Sequence, residues 1–78
     1  MPKEDPDIEN AYEMLVTAAN DVRAAAYSYA QNSSKQLSRE READRRWRRS
    51  INAAEQARIK AYAEKGKKAP RLKGKHRG

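Results

Sequence analysis

The sequence contains no cysteine and a single histidine. A chain without thiols forms neither disulfides nor thiolate metal sites. The one histidine, His76, stands between two cations in a stretch that has no carboxylate. Because general acid-base and nucleophilic chemistry usually uses His, Cys or clustered carboxylates, we expect a protein that is not an enzyme and that has no cofactor and no metal site.

Phenylalanine is also absent, and aromatic residues make up 6% of the 78 residues. Hydrophobic residues of all kinds make up 37%, so the chain is long enough for one domain at most, with few large apolar side chains to fill its core. Burial of so few side chains does not by itself offset the entropy of ordering about sixty residues. We therefore expect stabilisation by a homodimer or by a larger protein partner.

Long hydrophobic runs are missing as well, and no segment approaches the roughly eighteen apolar residues of a membrane span. The first ten residues, MPKEDPDIEN, are acidic and lack the apolar stretch of a signal peptide. These features predict no membrane span and a cytoplasmic protein, intracellular and not secreted.

Neither glycine nor proline occurs between Pro6 and Gly66. Asp5 before Pro6 favours a helix start, because Asp accepts hydrogen bonds from free backbone N–H groups and proline suits the first helical position. Lys65 before Gly66 favours a helix end, with a cation in the last turn and a residue that readily adopts the left-handed conformation.

One interruption divides this long helical segment. The tetrad QNSS at 31–34 breaks the apolar pattern, and Ser33 followed by Gln36 has the form of a capping box. The sequence therefore predicts an all-α fold, a two-helix hairpin or possibly one long helix, with a disordered basic C-terminal tail. Its predicted divisions are a flexible N-terminus at 1–5, a helical hairpin at 6–65 and a basic flexible tail at 66–78.

Apolar residues recur in the first helical segment with spacings of 4, 3, 4, 3, 4 and 3, which places them on one seam. Glu9 and Glu13 are expected on the opposite side. The apolar face of the second segment is interrupted by Glu40, Asp44 and Arg58, so a second copy of the first helix is an alternative partner for the seam. The predicted helix interface comprises Ile8, Tyr12, Leu15, Ala19, Val22, Ala26 and Tyr29 in the first helix and Leu37, Trp47 and Ile51 in the second.

Charge is divided unevenly along the chain. Residues 1–34 hold two cations and six acids, a net charge of −4, whereas residues 35–78 hold sixteen cations and five acids, a net charge of +11. Such asymmetry is typical of a protein with one polyanion-facing end. Within Arg39–Asn52 the sequence has six arginines and the only tryptophan, and four of these arginines form a strip on a helix, namely Arg41, Arg45, Arg48 and Arg49.

Guanidinium groups bind phosphate in a bidentate manner, and an outward-facing tryptophan can stack on an unpaired base. We therefore expect a small nucleic-acid-binding accessory protein, with RNA slightly favoured over DNA. In composition, Arg39–Asn52 resembles the arginine-rich RNA-binding helices of lambdoid phage antiterminators, a resemblance that covers about fourteen positions and has no fixed motif. The predicted nucleic-acid-binding residues are Arg39, Arg41, Arg45, Arg46, Arg48, Arg49, Lys67, Lys68, Arg71, Lys73, Lys75 and Arg77.

Two alternatives remain open on the sequence alone. Glu40, Glu42 and Asp44 can neutralise neighbouring arginines in i, i+3 and i+4 pairs while Trp47 serves as an interface anchor. The chain can also be a protein-binding adaptor or inhibitor, phage-like or regulatory, or a structural component that docks by its first helix onto a larger assembly.

Overall fold

A computed structural model of the chain describes residues 3–72, which form two helices joined by a short loop. Helix α1 comprises Pro6–Ala30 and helix α2 comprises Gln36–Glu64. The helices are antiparallel, since residues near the start of α1 contact residues near the end of α2. The predicted all-α hairpin is confirmed, and the alternative of a single long helix is excluded.

The start of α1 follows from its capping residue. The Asp5 carboxylate accepts hydrogen bonds from the backbone N–H groups of Asp7 and Ile8, at 3.1 and 3.3 Å. These donors have no partner within the helix, so the cap satisfies them, and Pro6 follows at the first helical position. The helix start predicted from Asp5 and Pro6 is confirmed.

The loop between the helices differs from its prediction. The Ser33 hydroxyl accepts a hydrogen bond from the backbone N–H of Lys35, at 3.1 Å, and so closes a local turn instead of capping α2. Lys35 occupies the cap position and makes no side-chain capping bond. The predicted capping box of Ser33 and Gln36 is therefore wrong, because the serine lies two residues before the cap position of α2.

The end of α2 is set by Gly66, which has a φ of +69°. The backbone N–H of Lys67 then reaches back to the carbonyl of Tyr62, at 2.9 Å, as in a Schellman motif. The helix end predicted at Lys65 and Gly66 is confirmed. Residues 67–72 have no regular secondary structure, yet Pro70 is buried. The remainder of the predicted tail, residues 73–78, lies outside the described residues.

The buried face of α1 is only partly the predicted seam. Ile8, Tyr12 and Ala19 are buried and Ala26 is half-buried, but Leu15, Val22 and Tyr29 are 50%, 66% and 82% exposed. The side chains that lie towards α2 follow spacings of 4, 4, 3, 4, 4 and 3, from Ile8 through Val16, Arg23 and Tyr27 to Ala30. This average of about 3.7 residues follows the α-helical repeat, whereas a strict seven-residue repeat drifts around a straight helix by about 20° per heptad.

The facing side of α2 contains Ala43, Ile51, Ala54 and Tyr62, all buried, with Trp47 half-buried among them. Leu37, predicted at this interface, is 62% exposed. It lies in the first turn of α2, opposite the last turn of α1, which ends at Ala30 and therefore covers it poorly. Leu37 therefore lies outside the contact between the two helices of one chain.

The polar residues that interrupt the face of α2 have matched partners on α1. Arg58 is 4% exposed and donates to both oxygens of Glu9, at 2.8 and 3.1 Å. Asp44 accepts a hydrogen bond of 2.6 Å from the Tyr27 hydroxyl. Glu9 was expected on the opposite side of α1, which is wrong: a buried arginine requires a carboxylate, and Glu9 supplies it.

Within residues 3–72, neither helix combines the length and the apolar character that crossing a membrane requires.

Candidate nucleic-acid interface

All six arginines between Arg39 and Asn52 are exposed on α2. They occupy two flanks of the helix. Arg48 borders a polar cleft between the helices on one side, and Arg46 borders an apolar groove between them on the other. This arrangement agrees with the predicted strip of Arg41, Arg45, Arg48 and Arg49, with Arg39 and Arg46 on the opposite flank.

Few of these charges are cancelled by the neighbouring acids. Glu42 accepts from Arg46 at 3.2 Å and lies 3.8 Å from Arg45. Glu40 accepts instead from the side-chain amide of Gln36, at 3.2 Å, and Asp44 from Tyr27. Only one of the three acids therefore pairs with arginines of this stretch. Four arginines have no ion-pair partner in the part of the chain that the structure describes, namely Arg39, Arg41, Arg48 and Arg49.

The bond between Tyr27 and Asp44 removes an acid from the cationic surface. The carboxylate holds the phenolic proton, which raises the pKa of Tyr27, and partial burial raises it further. At neutral pH the tyrosine is protonated and donates to Asp44. Asp44 is half-buried and borders the same cleft as Arg48, but within residues 3–72 it forms no ion pair with Arg41 or Arg48.

Trp47 is a helix-interface residue with one polar contact and one cation on its ring. Its indole N–H donates to the Asn20 side-chain oxygen at 2.7 Å. The Arg23 guanidinium lies 4.3 Å from the ring centroid, at cation-π distance. Because α1 holds the indole on two sides, the geometry favours an anchor between the helices over a platform for an unpaired base.

Arg23 also belongs to this cationic surface, although the sequence analysis did not identify it as a candidate. It borders the polar cleft together with Arg48, and the lining between them includes Asn20, Ser28 and Gln31. Two guanidinium groups and several neutral hydrogen-bonding side chains thus line one depression. The Asp44 carboxylate lines it as well, so its net charge is only weakly favourable to phosphate oxygens. The only sequence signal was that Arg23 occurs at the helical position of the buried face, four residues after Ala19 and four before Tyr27.

The second set of predicted cations lies at the other end of α2. Lys67, Lys68 and Arg71 are exposed and follow Gly66. The helix rises about 1.5 Å per residue, so its last residue, Glu64, lies roughly 30 Å along the axis from the middle of the arginine strip. Lys67 and Lys68, just past this end, therefore do not form one patch with the strip. Lys73, Lys75 and Arg77, which complete the prediction, lie outside the described residues, as does His76.

Fold and surface together define a small helical hairpin with uncompensated arginines on one helix. Comparison with protein-family models, with curated proteins and with solved structures finds no match to this chain. Among residues 3–72, no three His, Asp or Glu side chains are grouped as metal ligands.

Proposed function

We propose that this chain is a small, non-enzymatic accessory protein that binds the phosphate backbone of nucleic acid. The arginine strip of α2, Arg41, Arg45, Arg48 and Arg49, supplies one set of contacts. The basic residues after Gly66 supply the other, namely Lys67, Lys68, Arg71, Lys73, Lys75 and Arg77. RNA is slightly favoured over DNA, because the arginine-rich helix carries no helix-turn-helix or zinc-finger pattern for base readout.

One observation carries this proposal: the six arginines between Arg39 and Asn52 are exposed, and four of them have no ion-pair partner within residues 3–72. The cations that do turn inward are others, Arg58 onto Glu9 and Lys65 onto Asp5. The acidic half of the chain thus leaves the arginine strip uncompensated. Exposed positive charges repel one another, and binding of a polyanion relieves that repulsion.

The separation of the two cation sets supports an extended ligand. About 30 Å is close to one helical turn of a nucleic-acid duplex, so a duplex lying along α2 reaches both sets at once. A ligand held through phosphate alone is bound with little sequence preference. Contact with about six phosphates of a duplex gives a plot of log K against log salt with a slope near −5.

The test is a salt titration of binding to RNA and DNA duplexes by the full chain. Two double variants remove the same charge: Arg41→Gln with Arg48→Gln on the strip, and Lys35→Gln with Lys60→Gln at exposed positions off it. The strip variant should weaken binding and reduce the slope by about two phosphate contacts, whereas the control variant should change both much less.

A third variant, Lys73→Gln with Lys75→Gln and Arg77→Gln, tests the basic tail in the same titration. It should lower the affinity at low salt for every sequence tested. If the full chain binds neither RNA nor DNA in a salt-sensitive manner, the proposal is wrong. Equal losses for the strip variant and its control would reject the assignment of the strip.

A further inference from the structure

The polar cleft between the helices combines two cations with one acid. Arg23, Arg48 and Asp44 all line it, and two guanidinium groups against one carboxylate leave a net charge of +1. Within residues 3–72 neither arginine forms an ion pair. The carboxylate repels a bare phosphate but accepts hydrogen bonds from N–H groups. The cleft therefore suits a ligand that carries one negative charge and N–H donors together.

The Asp44 carboxylate is fixed in place and still has acceptor capacity. The Tyr27 hydroxyl donates to its Oδ1 at 2.6 Å, which uses one of about four lone-pair positions. Asp44 and Tyr27 are both half-buried, so water screens a contact made there less than it does at an exposed site. Both carboxylate oxygens can therefore accept further N–H bonds from one ligand.

Two side chains of α1 in the cleft are oriented by Trp47. The indole N–H only donates, so the Asn20 amide oxygen faces it at 2.7 Å, and the NH2 group of Asn20 is left for a ligand acceptor. The Arg23 guanidinium lies over the indole, 4.3 Å from the ring centroid. A guanidinium held in this way offers its other side to a flat ring, as where unpaired bases stack on arginine.

An unpaired guanine has the groups that match this arrangement. Its Watson–Crick edge carries two adjacent N–H donors, at N1 and N2, which fit the two oxygens of one carboxylate. The neighbouring O6 is an acceptor for the Asn20 amide. Adenine, cytosine and uracil each present a single N–H group at this edge, so they cannot bind both oxygens of Asp44 at once. The phosphate of the same nucleotide supplies the one negative charge.

The cleft has room for one nucleotide and is continuous with the arginine strip. Its volume is about 610 Å³, within the roughly 300 to 1,000 Å³ of small-ligand sites. Arg48 belongs both to the strip and to the cleft, so a nucleic acid held on the strip lies beside the cleft. A guanine can enter only when it is unpaired, because pairing in a duplex occupies the edge that Asp44 binds.

We propose that the polar cleft binds one unpaired guanine nucleotide of an RNA whose stem lies on the arginine strip. Asp44 accepts from N1–H and N2–H of the base, Arg23 stacks on it, and Arg48 binds its phosphate. This inference rests on the proposed function, because the strip must hold the RNA, and it adds a preference for one base at one position.

Binding of the full chain to four labelled RNA stems, measured by fluorescence anisotropy, tests the cleft. One stem is fully paired, and the others carry a single bulged guanosine, inosine or uridine. Wild type should bind the guanosine bulge at least about tenfold more tightly than the uridine bulge or the paired stem. Inosine lacks only the 2-amino group, so its bulge should bind at least about threefold more weakly than that of guanosine.

Two variants that remove one acid each should behave differently. Asp44→Asn keeps an oxygen for Tyr27 but replaces the other by a donor, whereas Glu40→Gln removes a charge one turn away, at a half-buried position outside the cleft. Both should bind the paired stem slightly more tightly, because each loses a negative charge. Only Asp44→Asn should bind the guanosine and uridine bulges equally. Arg23→Lys keeps the charge without the flat group and should also lose the preference.

The outcomes separate this inference from the proposed function. Salt-sensitive binding of all four RNAs with equal affinity overturns the guanine site and leaves phosphate binding by the strip in place. No binding of any RNA overturns both. Equal binding of guanosine and inosine bulges by wild type, which needs no variant to fold, also overturns the guanine site. So does a guanosine preference that Asp44→Asn retains as fully as Glu40→Gln.

Discussion

Arg58 and Glu9 form a buried ion pair between the two helices, with the arginine Nε 2.8 Å from one carboxylate oxygen and 3.1 Å from the other. The Tyr62 hydroxyl donates to the same carboxylate, at 2.8 Å, and accepts from the backbone N–H of Asp5, also at 2.8 Å. The Arg58 guanidinium lies 5.3 Å from the Tyr62 ring centroid. This network joins the first turn of α1 to the last turns of α2.

Truncation of Arg58 should strongly destabilise the hairpin. Arg58→Met leaves the Glu9 carboxylate in the interface without its main partner, which costs about 3 kcal/mol of unfolding free energy, the lower end for a broken buried pair, because Glu9 retains some contact with water. Urea denaturation followed by circular dichroism measures the loss. Removal of both charges, by Glu9→Leu with Arg58→Met, should recover most of it, and a double variant as unstable as the single one contradicts this account.

Asp5 should stabilise the hairpin in two ways, as the cap of α1 and as the ion-pair partner of Lys65. Asp5→Asn retains a side-chain oxygen for the N–H groups of α1 but loses the ion pair with Lys65, so it should be slightly less stable than wild type. Asp5→Ala also removes the cap and should be less stable than Asp5→Asn. Urea unfolding of the three proteins gives both values, and equal stability of the Asn and Ala variants would show that the cap contributes nothing.

Acid should weaken the ion pair between Asp5 and Lys65. The hydrogen bond from Lys65 lowers the pKa of Asp5 below its ordinary value of 3.8. A lowered folded-state pKa means that the stabilisation is complete above the unfolded value and is lost as pH falls through the folded one. The difference in unfolding free energy between wild type and Asp5→Asn should therefore shrink below about pH 4. A difference that stays constant down to pH 2 is the contrary result.

Alkaline pH should destabilise the hairpin through two tyrosines of the interface, Tyr27 and Tyr62. The hydrogen bond to Asp44 raises the pKa of Tyr27, and burial raises the pKa of Tyr62. Their stabilisation is complete below about pH 10, the unfolded value, and is lost as pH rises through the folded values. Thermal unfolding followed from neutral pH to pH 11 should show a falling melting temperature. Tyr27→Phe should flatten this fall, whereas Tyr29→Phe, at an exposed position, should not.

Substitution of Trp47 should affect stability more than binding. Trp47→Phe keeps much of the apolar contact but loses the bond to Asn20, which should cost about 1 to 2 kcal/mol of unfolding free energy. If the indole is an anchor, affinity for nucleic acid should change less than twofold under conditions where the variant is folded. A tenfold loss of affinity with no loss of stability indicates that the indole stacks on a base.

The ends of the helices were largely predictable from the sequence, because caps are local. Asp5 with Pro6 and Lys65 with Gly66 act through neighbouring backbone groups. The loop was less predictable, since more than one nearby backbone N–H group can donate to the Ser33 hydroxyl. In the structure the donor is the N–H of Lys35. A hydroxyl that closes its own turn cannot also cap the following helix.

The interface was harder to predict because it depends on which residues of two distant segments meet. Heptad spacing placed Leu15 and Val22 with Tyr12, although the straight helix turns them onto a separate flank. Asp44 and Arg58 appeared as defects of an apolar face. Their partners, Tyr27 and Glu9, are 17 and 49 residues away in sequence, and no local pattern connects them.

The bond between Asn20 and Trp47 has a further consequence, for the sliding of one helix along the other. A shift of one turn in either direction would still offer Arg58 a carboxylate, from Asp5 or from Glu13, so the charges alone tolerate three alignments. The indole N–H would instead meet Val16 or Ala24, whose side chains accept no hydrogen bond. A neutral amide thus selects one alignment among three that electrostatics would allow.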